Sequence, residues 1–410
     1  SYNDAIEMIR TEATKSNLAA EDARIAEITG RICADDIYAP VANQPFDNSA
    51  MDGYALRAED LAHAANDNPI SLDMIGHIAA GDPAQFSPPA RGQCYEIMTG
   101  APLPPGCDAV VPVELVSKND KKIIFNSRTE TGDNIRRAGE DFNSGDKVIG
   151  KGHVLNDGHI LILATLGIDR VNVLCKPSVA LISTGREIID TPGEKLAPGQ
   201  IYNSTMPYLR AALSSLGTDI HLFGTVTDEP QAFKDKIKTM INNNMDFGIS
   251  TGAVSAGVHD FVPSVLKELG AEIFFHKVAI RPGKPLIFAR LPGGMLFFGL
   301  PGNPVAGAAG LRFFIDPALR ALRGLPPQEP QYALLNAPFK KNHGLRQFVR
   351  ARINYSDTAI LRADIPAKQQ SFMVRPFTDT NAWAVIPEET KNLEAGTPVQ
   401  IFNDRTCLSH

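Results

Sequence analysis

Residues 179–188 read VALISTGREI, and this stretch decides the fold class. Val179 to Ser183 is an uncharged apolar run, typical of a strand that is buried on both faces of a sheet. Ligands of such sheets bind outside the carboxyl ends of the strands, where Thr184 and Gly185 would let a ligand approach the backbone. Glu187 would project a carboxylate into the same crevice. An ordinary turn after a strand explains these residues equally well.

The alternation of strand and helix patterns continues to about residue 326. We expect strands at 220–226, 247–250, 273–280 and 295–299, and helices at 204–216, 230–241, 261–269 and 305–322. Asn203 or Ser204 could cap the first of these helices. The alternation predicts a three-layer α/β domain around a mostly parallel sheet.

The rest of the chain has different patterns. Apolar stripes predict helices near the N-terminus, including Ala23 to Ile28, and a further helix at 156–165 that we expect to pack on the N-terminal one. Short runs broken by Pro and Gly indicate strands elsewhere. We therefore divide the chain into a discontinuous helical and linker domain (1–40 and 142–176), an inserted β-rich domain (41–141), the α/β domain (177–326) and a C-terminal β domain (327–410).

Composition excludes several classes of function. Of 410 residues, 40 are Lys or Arg and 46 are Asp or Glu, and a net charge of −6 gives no positive field for nucleic acid. The longest uncharged apolar stretch, 295–311, is interrupted by Pro and Gly and predicts no membrane span. The first twenty residues lack the apolar core of a signal peptide, so we expect a cytoplasmic protein. Five cysteines without a CxxC pair argue against disulfides and thiolate zinc sites.

The loop STGAVSAGVHD, residues 250–260, follows a second predicted strand and is rich in small residues. Gly252, Ser255 and Gly257 would free backbone N–H groups to bind phosphate at the start of the next helix. The loop is neither a Walker loop nor GxGxxG. Asp260 could act in the chemistry or simply cap the helix.

Asp228, in TVTDEP, follows another predicted strand at the same edge of the sheet. Together with Glu187 and Asp260 it would place three carboxylates around a crevice that binds anions. Like charges beside a phosphate are costly unless a hard cation lies between them, so the pattern predicts Mg²⁺. The alternative is three unrelated acids that cap helices.

Two rigid turns, IRPGKP (280–285) and GLPGNP (299–304), follow later strands. Arg281 and Lys284 would supply positive charge there, although both turns could be purely structural. In the β-rich part, PFDNSAMDGYALR (45–57) and NIRRAGED (134–141) are dense in polar groups. Adjacent arginines suit an oxyanion, and a solvated charged surface is the competing explanation.

Taken together, these strings resemble one family. FDNSAMDGYA, MTGAP, NIRRAGED, STGREI, TDEP, SAGVHD, PGKP and GLPGNPV occur in the order and spacing of the MoeA family, the molybdopterin molybdenumtransferases, which include the E domain of gephyrin. The resemblance extends from about Ala5 to Gln400. It implies a four-domain homodimer with a MogA-like α/β domain, a C-terminal β-barrel, and an active site shared between protomers.

The resemblance also implies an activity: molybdenum from molybdate enters adenylylated molybdopterin, and AMP is released in the presence of Mg²⁺. A MogA-like adenylyltransferase and molybdoenzyme chaperones would be partners. The catalytic candidates are Asp52, Thr99, Asp141, Glu187, Asp228 and Asp260, with Asp228 and Asp260 also holding Mg²⁺. The substrate-binding candidates are Arg137, Thr184, Gly185, Gly252, Ser255, Gly257, Arg281, Lys284, Pro301, Asn303, Arg350 and Arg375.

Three positions depart from the pattern of the family. Ala253 stands in a loop that usually reads SGGVS, and it would be strained if it needs a positive φ. Arg281 replaces a common lysine, and Arg375 with Pro376 replaces a pair of serines. These departures leave open a non-catalytic scaffold paralogue or a paralogue that prefers tungstate. A third alternative is an enzyme that acts on a different nucleotide, as MogA-like relatives do, and the β-rich domain with FDNSAMDGYA argues against it.

Overall fold

A computed structural model describes residues 1–83, 85–254 and 261–404. The N-terminal part contains α1 (Tyr2–Ala13), β1 (Ala20–Arg24), β2 (Ile37–Tyr38), β3 (Asn48–Ser49), β4 (Gly53–Leu56), β5 (Ile70–Ile78), β6 (Gln93–Ile97), β7 (Ala109–Pro112), β8 (Val116–Asn119), β9 (Lys122–Phe125), β10 (Ile135–Arg136), β11 (Lys147–Ile149), α2 (Asp157–Thr165) and β12 (Arg170–Leu174). Six of these strands form one sheet in the order β7-β4-β6-β5-β9-β8. Outside this β-rich sheet, β1 pairs with β12 and β2 with β11, which brings distant parts of the chain together.

The prediction of a helix from Ala23 to Ile28 is wrong. These residues lie in β1 and in a 3₁₀ turn at Ile25–Glu27, because β1 finds its hydrogen-bond partner in β12, far away in sequence. The expected packing of α2 on α1 is also wrong. Ala5 and Ile9 of α1 are buried in the core of the α/β unit, whereas Leu163 of α2 packs in a separate cluster.

The α/β unit spans the middle of the chain. It contains β13 (Ser178–Thr184), β14 (Ile188–Ile189), β15 (Ile201–Tyr202), α3 (Thr205–Ser215), β16 (Asp219–Val226), α4 (Pro230–Asn242), β17 (Phe247–Thr251), α5 (Val262–Glu268), β18 (Glu272–His276), β19 (Ile280–Arg281), β20 (Ile287–Arg290), β21 (Leu296–Leu300), α6 (Pro304–Gly310), a π-helical turn (Leu311–Ile315) and α7 (Asp316–Leu322). Its sheet has the order β16-β13-β17-β21-β20-β18. Strands β16, β13, β17 and β21 are parallel, and β20 alone runs in the opposite direction, because it pairs antiparallel with both β21 and β18. The predicted mostly parallel sheet is therefore confirmed.

Alternating residues of β13 explain the three layers. Val179 and Leu181 belong to a core that includes Leu209 of α3, and Ala180 and Ile182 to a second core that includes Phe233 of α4. Since side chains alternate across a strand, an uninterrupted apolar sequence is what a strand between two helical layers needs.

The C-terminal unit is a closed barrel. It contains β22 (Gln331–Leu335), β23 (Phe339–Lys340), β24 (Arg346–Tyr355), β25 (Leu361–Asp364), α8 (Pro376–Asp379), β26 (Ala382–Ile386), β27 (Asn392–Leu393) and β28 (Pro398–Asn403). Strands β24, β25, β22, β28 and β26 pair in that order, and β26 pairs back to β24. The barrel expected from the family resemblance is therefore present, and β19 of the α/β unit adds to it beside β24.

Aromatic rings join the barrel to the α/β unit. Phe313, in the π-helical turn, stacks on Phe348 with ring centroids 3.9 Å apart and meets Trp383 edge-on at 5.9 Å. All three side chains are buried. Among the described residues, no helix is long and apolar enough to cross a membrane.

We expect Phe313→Ala to lower the free energy of unfolding by about 3–5 kcal/mol, because it removes a buried ring at this junction. Urea unfolding followed by tryptophan fluorescence measures the change, since Trp383 is the single tryptophan. Phe372→Ala is the matched control, because Phe372 is 61% exposed. A cost at Phe313 no larger than that of the control would contradict the junction's role.

Candidate functional site

The carboxyl ends of four parallel strands surround one crevice of about 420 Å³. We call it the strand-end crevice, and it is lined by Ser183, Thr184, Gly185, Glu187, Ile188, Ile201, Tyr202, Asn203, Ser204, Thr205, Asp228, Thr251, Gly252, Ala253, Gly302, Asn303 and Pro304. Strands β13, β16, β17 and β21 end here because parallel strands share the direction of their carboxyl ends. Six predicted site residues meet in it: Thr184, Gly185, Glu187, Asp228, Gly252 and Asn303.

Gly252 allows the closest backbone approach in this crevice. It has φ +93°, and a Cβ at this position would lie 2.5 Å from Thr184 Oγ1 and 2.7 Å from Thr184 O. Its N–H donates to Leu300 O at 2.9 Å, which ties the end of β17 to the end of β21. Only glycine fits this position.

Ala253 has φ +51°, so the strained conformation considered from the sequence is present. For an L-residue with a Cβ, this left-handed region is unfavourable. The residue lines the strand-end crevice, so the strain lies in the wall of the candidate site.

A polar network that was not identified from the sequence supports the same wall. Asn203 Nδ2 donates to Asp190 Oδ1 at 2.8 Å and to Ser183 Oγ at 3.0 Å. Asn203 Oδ1 accepts from the backbone N–H of Met206 at 3.1 Å, which caps α3. The sequence signal was a candidate helix cap at Asn203 or Ser204, and nothing in it indicated the partner Asp190.

A second cavity, of about 430 Å³, lies between the α/β unit and the barrel. We call it the junction cavity, and its lining includes Arg281, Lys284, Pro301 and Asn303 together with Gln347, Gln369 and Ser371 of the barrel. Asn303 lines both cavities, so the two are adjacent. The barrel residues were not predicted, because their approach depends on how two units dock. Gln369 holds its loop in place by accepting from Arg350 N at 2.6 Å and donating to Arg350 O at 2.9 Å.

Predicted residues of the β-rich unit line neither cavity. Asp52 Oδ1 accepts from both the backbone N–H and the hydroxyl of Thr99, each at 2.8 Å. These two donors, the backbone one first, lower the pKa of Asp52 below its usual value. Arg137 Nη1 donates to Asp47 Oδ2 at 2.6 Å, and Asp141 Oδ2 accepts from the side-chain amide of Asn43 at 2.8 Å.

The geometry gives no support to a substrate contact by Arg350. Its side chain is 1% exposed, and its guanidinium pairs with Asp404 and donates to Thr380 Oγ1 at 2.9 Å. It also lies over the rings of Phe377 and Trp383 at 4.4 and 5.0 Å. The positive charge of Arg350 is thus balanced by Asp404 within the barrel.

Four further predicted site residues are not among the described residues that line either cavity. Arg375 is exposed at the start of α8 and lines neither the strand-end crevice nor the junction cavity. Ser255, Gly257 and Asp260 lie outside the described residues. Within the described ranges, no group of three or more His, Cys, Asp or Glu side chains could hold a metal ion. The four described cysteines are free thiols.

Comparison with known proteins identifies the family. The model of the MoeA N-terminal region (domain I and II) matches residues 1–167, that of a probable molybdopterin binding domain matches 180–321, and that of the MoeA C-terminal region (domain IV) matches 332–402. A molybdopterin molybdenumtransferase of Synechococcus elongatus is 36% identical over 98% of both chains. The chain belongs to the MoeA family.

Other relatives agree with this assignment. The molybdopterin molybdenumtransferase of Bacillus subtilis is 36% identical over 91% of this chain and 87% of that protein. The crystal structure of a MoeA molybdopterin biosynthesis protein from Pyrococcus horikoshii superposes with a TM-score of 0.81 at 31% identity, over 97% of this chain and 98% of that one. The membership in the MoeA family that the motifs predicted is therefore confirmed.

We expect Ala253→Gly to raise the free energy of unfolding by about 0.5–1 kcal/mol, because relief of the left-handed strain exceeds the added freedom of the unfolded chain. Chemical denaturation measures it. Ala232→Gly, inside α4, is the control and should destabilise by about 1 kcal/mol. If both variants lose stability equally, Ala253 is not strained.

Proposed function

We propose that this chain inserts molybdenum from molybdate into adenylylated molybdopterin and releases AMP. The observation that carries the proposal is that Glu187 and Asp228 line the strand-end crevice together with small residues. The adjacent junction cavity is lined by two positively charged side chains, Arg281 and Lys284. Members of the same family that are about one-third identical are named molybdopterin molybdenumtransferases. An acidic crevice beside a cationic cavity suits a reaction between two substrates, one with a phosphoanhydride and the other an oxyanion.

The cations of the junction cavity suit molybdate. Arg281 is held by the pairing of β19 with β24, and Lys284 follows it in the same rigid turn. Both side chains are exposed, and the rigid backbone limits the region that their charges can reach, which lowers the entropic cost of binding a tetrahedral oxyanion. We assign molybdate to this cavity and the phosphates of the adenylylated pterin to the strand-end crevice, with Asn303 between them.

The residues of the strand-end crevice fit Mg²⁺. Glu187 and Asp228 both line it, and Mg²⁺ in proteins is usually held by one or two carboxylates together with phosphate oxygens of the substrate. Asp228 would hold the ion, with Asp260 as the second ligand that the family motif suggests. When bound, the ion would spread the negative charge of the phosphoanhydride.

The β-rich unit supplies the second half of the proposed site, from the other protomer of a homodimer. The donors of Thr99 keep Asp52 ionised, and within the described residues Asp52 Oδ2 has no hydrogen-bond partner. Arg137 adds positive charge on the same unit. The β-rich unit and the α/β unit each contain only some of the candidate residues. A site shared between protomers explains why both units contain polar clusters. An adenylylating enzyme must supply the substrate, and molybdoenzyme chaperones are candidate acceptors.

We expect Asp228→Asn to lower molybdate-dependent AMP release at least about 100-fold, because one charged group near the phosphates is lost. AMP is measured after mixing the protein with adenylylated molybdopterin, Mg²⁺ and molybdate, with tungstate as a parallel arm. Asp235→Asn, on the exposed surface of α4, should keep wild-type turnover. Unchanged turnover in Asp228→Asn would contradict the assignment.

A shared site can be tested with mixed dimers. One protomer carries Asp52→Asn and the other Asp228→Asn, and tandem affinity tags isolate the heterodimer. One of its two sites then combines two intact halves, so we expect about half of the wild-type turnover, whereas each homodimeric variant is inactive. An inactive heterodimer would place both residues in the site of a single protomer.

A further inference from the structure

A small cavity of about 120 Å³ lies where α1, the π-helical turn and α7 meet the start of the barrel segment. Its lining includes Tyr2, Ile6, Arg10, Arg312, Asp316, Arg320, Gln328 and Phe402. It shares no lining residue with the strand-end crevice or the junction cavity. Whatever binds here is therefore separate from the proposed chemistry.

Buried positive charge exceeds buried negative charge at this point. Arg312, Arg320 and Arg323 are 6%, 5% and 6% exposed, and the buried acid among them is Asp316. Arg312 Nη1 donates to Asp316 Oδ2 at 2.6 Å. The nearby carboxylate of Asp404 is already paired with Arg350. Asp316 is thus shared by three buried arginines, which leaves an excess of positive charge among the described residues.

Some N–H donors of these arginines also lack a hydrogen-bond acceptor within the described ranges. In the described part of the chain, Arg320 donates through Nε to Pro326 O at 2.9 Å. Its two terminal nitrogens have no partner there and are not fully buried, so they can face the cavity that Arg320 lines.

Among the described residues, Arg312 Nε and Arg323 Nη1 are fully buried without a partner. The two terminal nitrogens of Arg312 donate to Asp316 and Gln328, and Arg323 does not line the cavity. A buried guanidinium normally satisfies its donors, because leaving a charged donor unpaired costs more than leaving a neutral one.

The electrostatics point in the same direction. Burial lowers the pKa of Arg323 from its usual value to about 10 and lowers the pKa of Arg312 as well, while the carboxylate of Asp316 opposes both shifts. Arg31 and Arg320 add repulsion at Arg323. An anion in the cavity would favour the charged state of these arginines.

We propose that this cavity binds a small tetrahedral oxyanion, of the class of phosphate and sulfate, through the terminal nitrogens of Arg320, with the positive charge of Arg312 beside it. Its volume equals about four water molecules at about 30 Å³ each, which suits an ion of five heavy atoms. The terminal nitrogens of Arg320 supply the guanidinium fork that matches such an ion. Because α1, α7 and Phe402 all line the cavity, the bound anion stabilises the docking of the barrel on the α/β unit.

The test is made on the full chain with Lys284→Gln, so that oxyanions bound in the junction cavity do not contribute. Isothermal titration calorimetry with phosphate should show one site per protomer that depends on Arg320, apart from any phosphate bound in the strand-end crevice. Phosphate or sulfate should raise Tm above that in chloride at equal ionic strength. Adding Arg320→Gln should weaken binding at least tenfold and remove the rise in Tm. Arg352→Gln, on an exposed barrel strand, is the matched control and should change neither. Molybdate and acetate arms show whether the cavity selects the tetrahedral shape.

Two results would overturn the proposal: no oxyanion-specific rise in Tm in the Lys284→Gln protein, or unchanged phosphate binding in the Arg320→Gln variant. If Arg320→Gln does not fold, Arg320→Lys replaces it. That variant keeps the charge but not the fork, and we expect at least threefold weaker binding. Equal binding by Arg320→Lys would also overturn the proposal. None of these results depends on AMP release, so the proposal fails or survives independently of the transferase assignment.

Discussion

The stack of Phe313 on Phe348 fixes the barrel against the α/β unit, and the arrangement of the candidate site follows from it. The ring of Phe313 comes from the π-helical turn between α6 and α7, and that of Phe348 from barrel strand β24. The same β24 pairs with β19, the short strand that contains Arg281. Hydrophobic burial therefore places a barrel strand beside a loop of the α/β unit, and the junction cavity forms between them.

The sequence predicts elements best where one apolar pattern decides them. In the α/β unit, an uninterrupted apolar run such as that of β13 can serve only between two layers, and both layers are present. The residues at the ends of the parallel strands could be predicted as a group for the same reason. Direction and order of the strands place Gly185, Asp228 and Gly252 at one edge without knowledge of any side-chain contact.

Prediction fails where partners are distant in sequence. Residues 23–28 have an apolar spacing compatible with a helix, but β1 obtains its hydrogen bonds from β12, and tertiary pairing overrides local preference. Strand β20, which the sequence patterns did not predict, lies antiparallel between β18 and β21. Its apolar residues follow the Pro/Gly turn IRPGKP, whose residues are candidates for the site rather than signals of a strand. Asn203 was identified as a cap, but its bond to Asp190 depends on the docking of β14 and β15.

Arg350 and Arg320 show why residue type alone does not identify a binding residue. Both are arginines of the C-terminal half, and both are at least 95% buried. Arg350 directs its guanidinium to Asp404 and to Thr380 between two aromatic rings, so its charge and its donors are satisfied within the fold. Arg320 has a single hydrogen bond, to a backbone carbonyl, and its terminal nitrogens are unsatisfied beside a cavity. Because Arg320 shares the carboxylate of Asp316 with two other buried arginines, a bound anion would lower the cost of burying its charge. The family resemblance included Arg350 among twelve candidates for substrate binding, whereas the number of satisfied donors distinguishes Arg320 as the arginine that is open to an added anion.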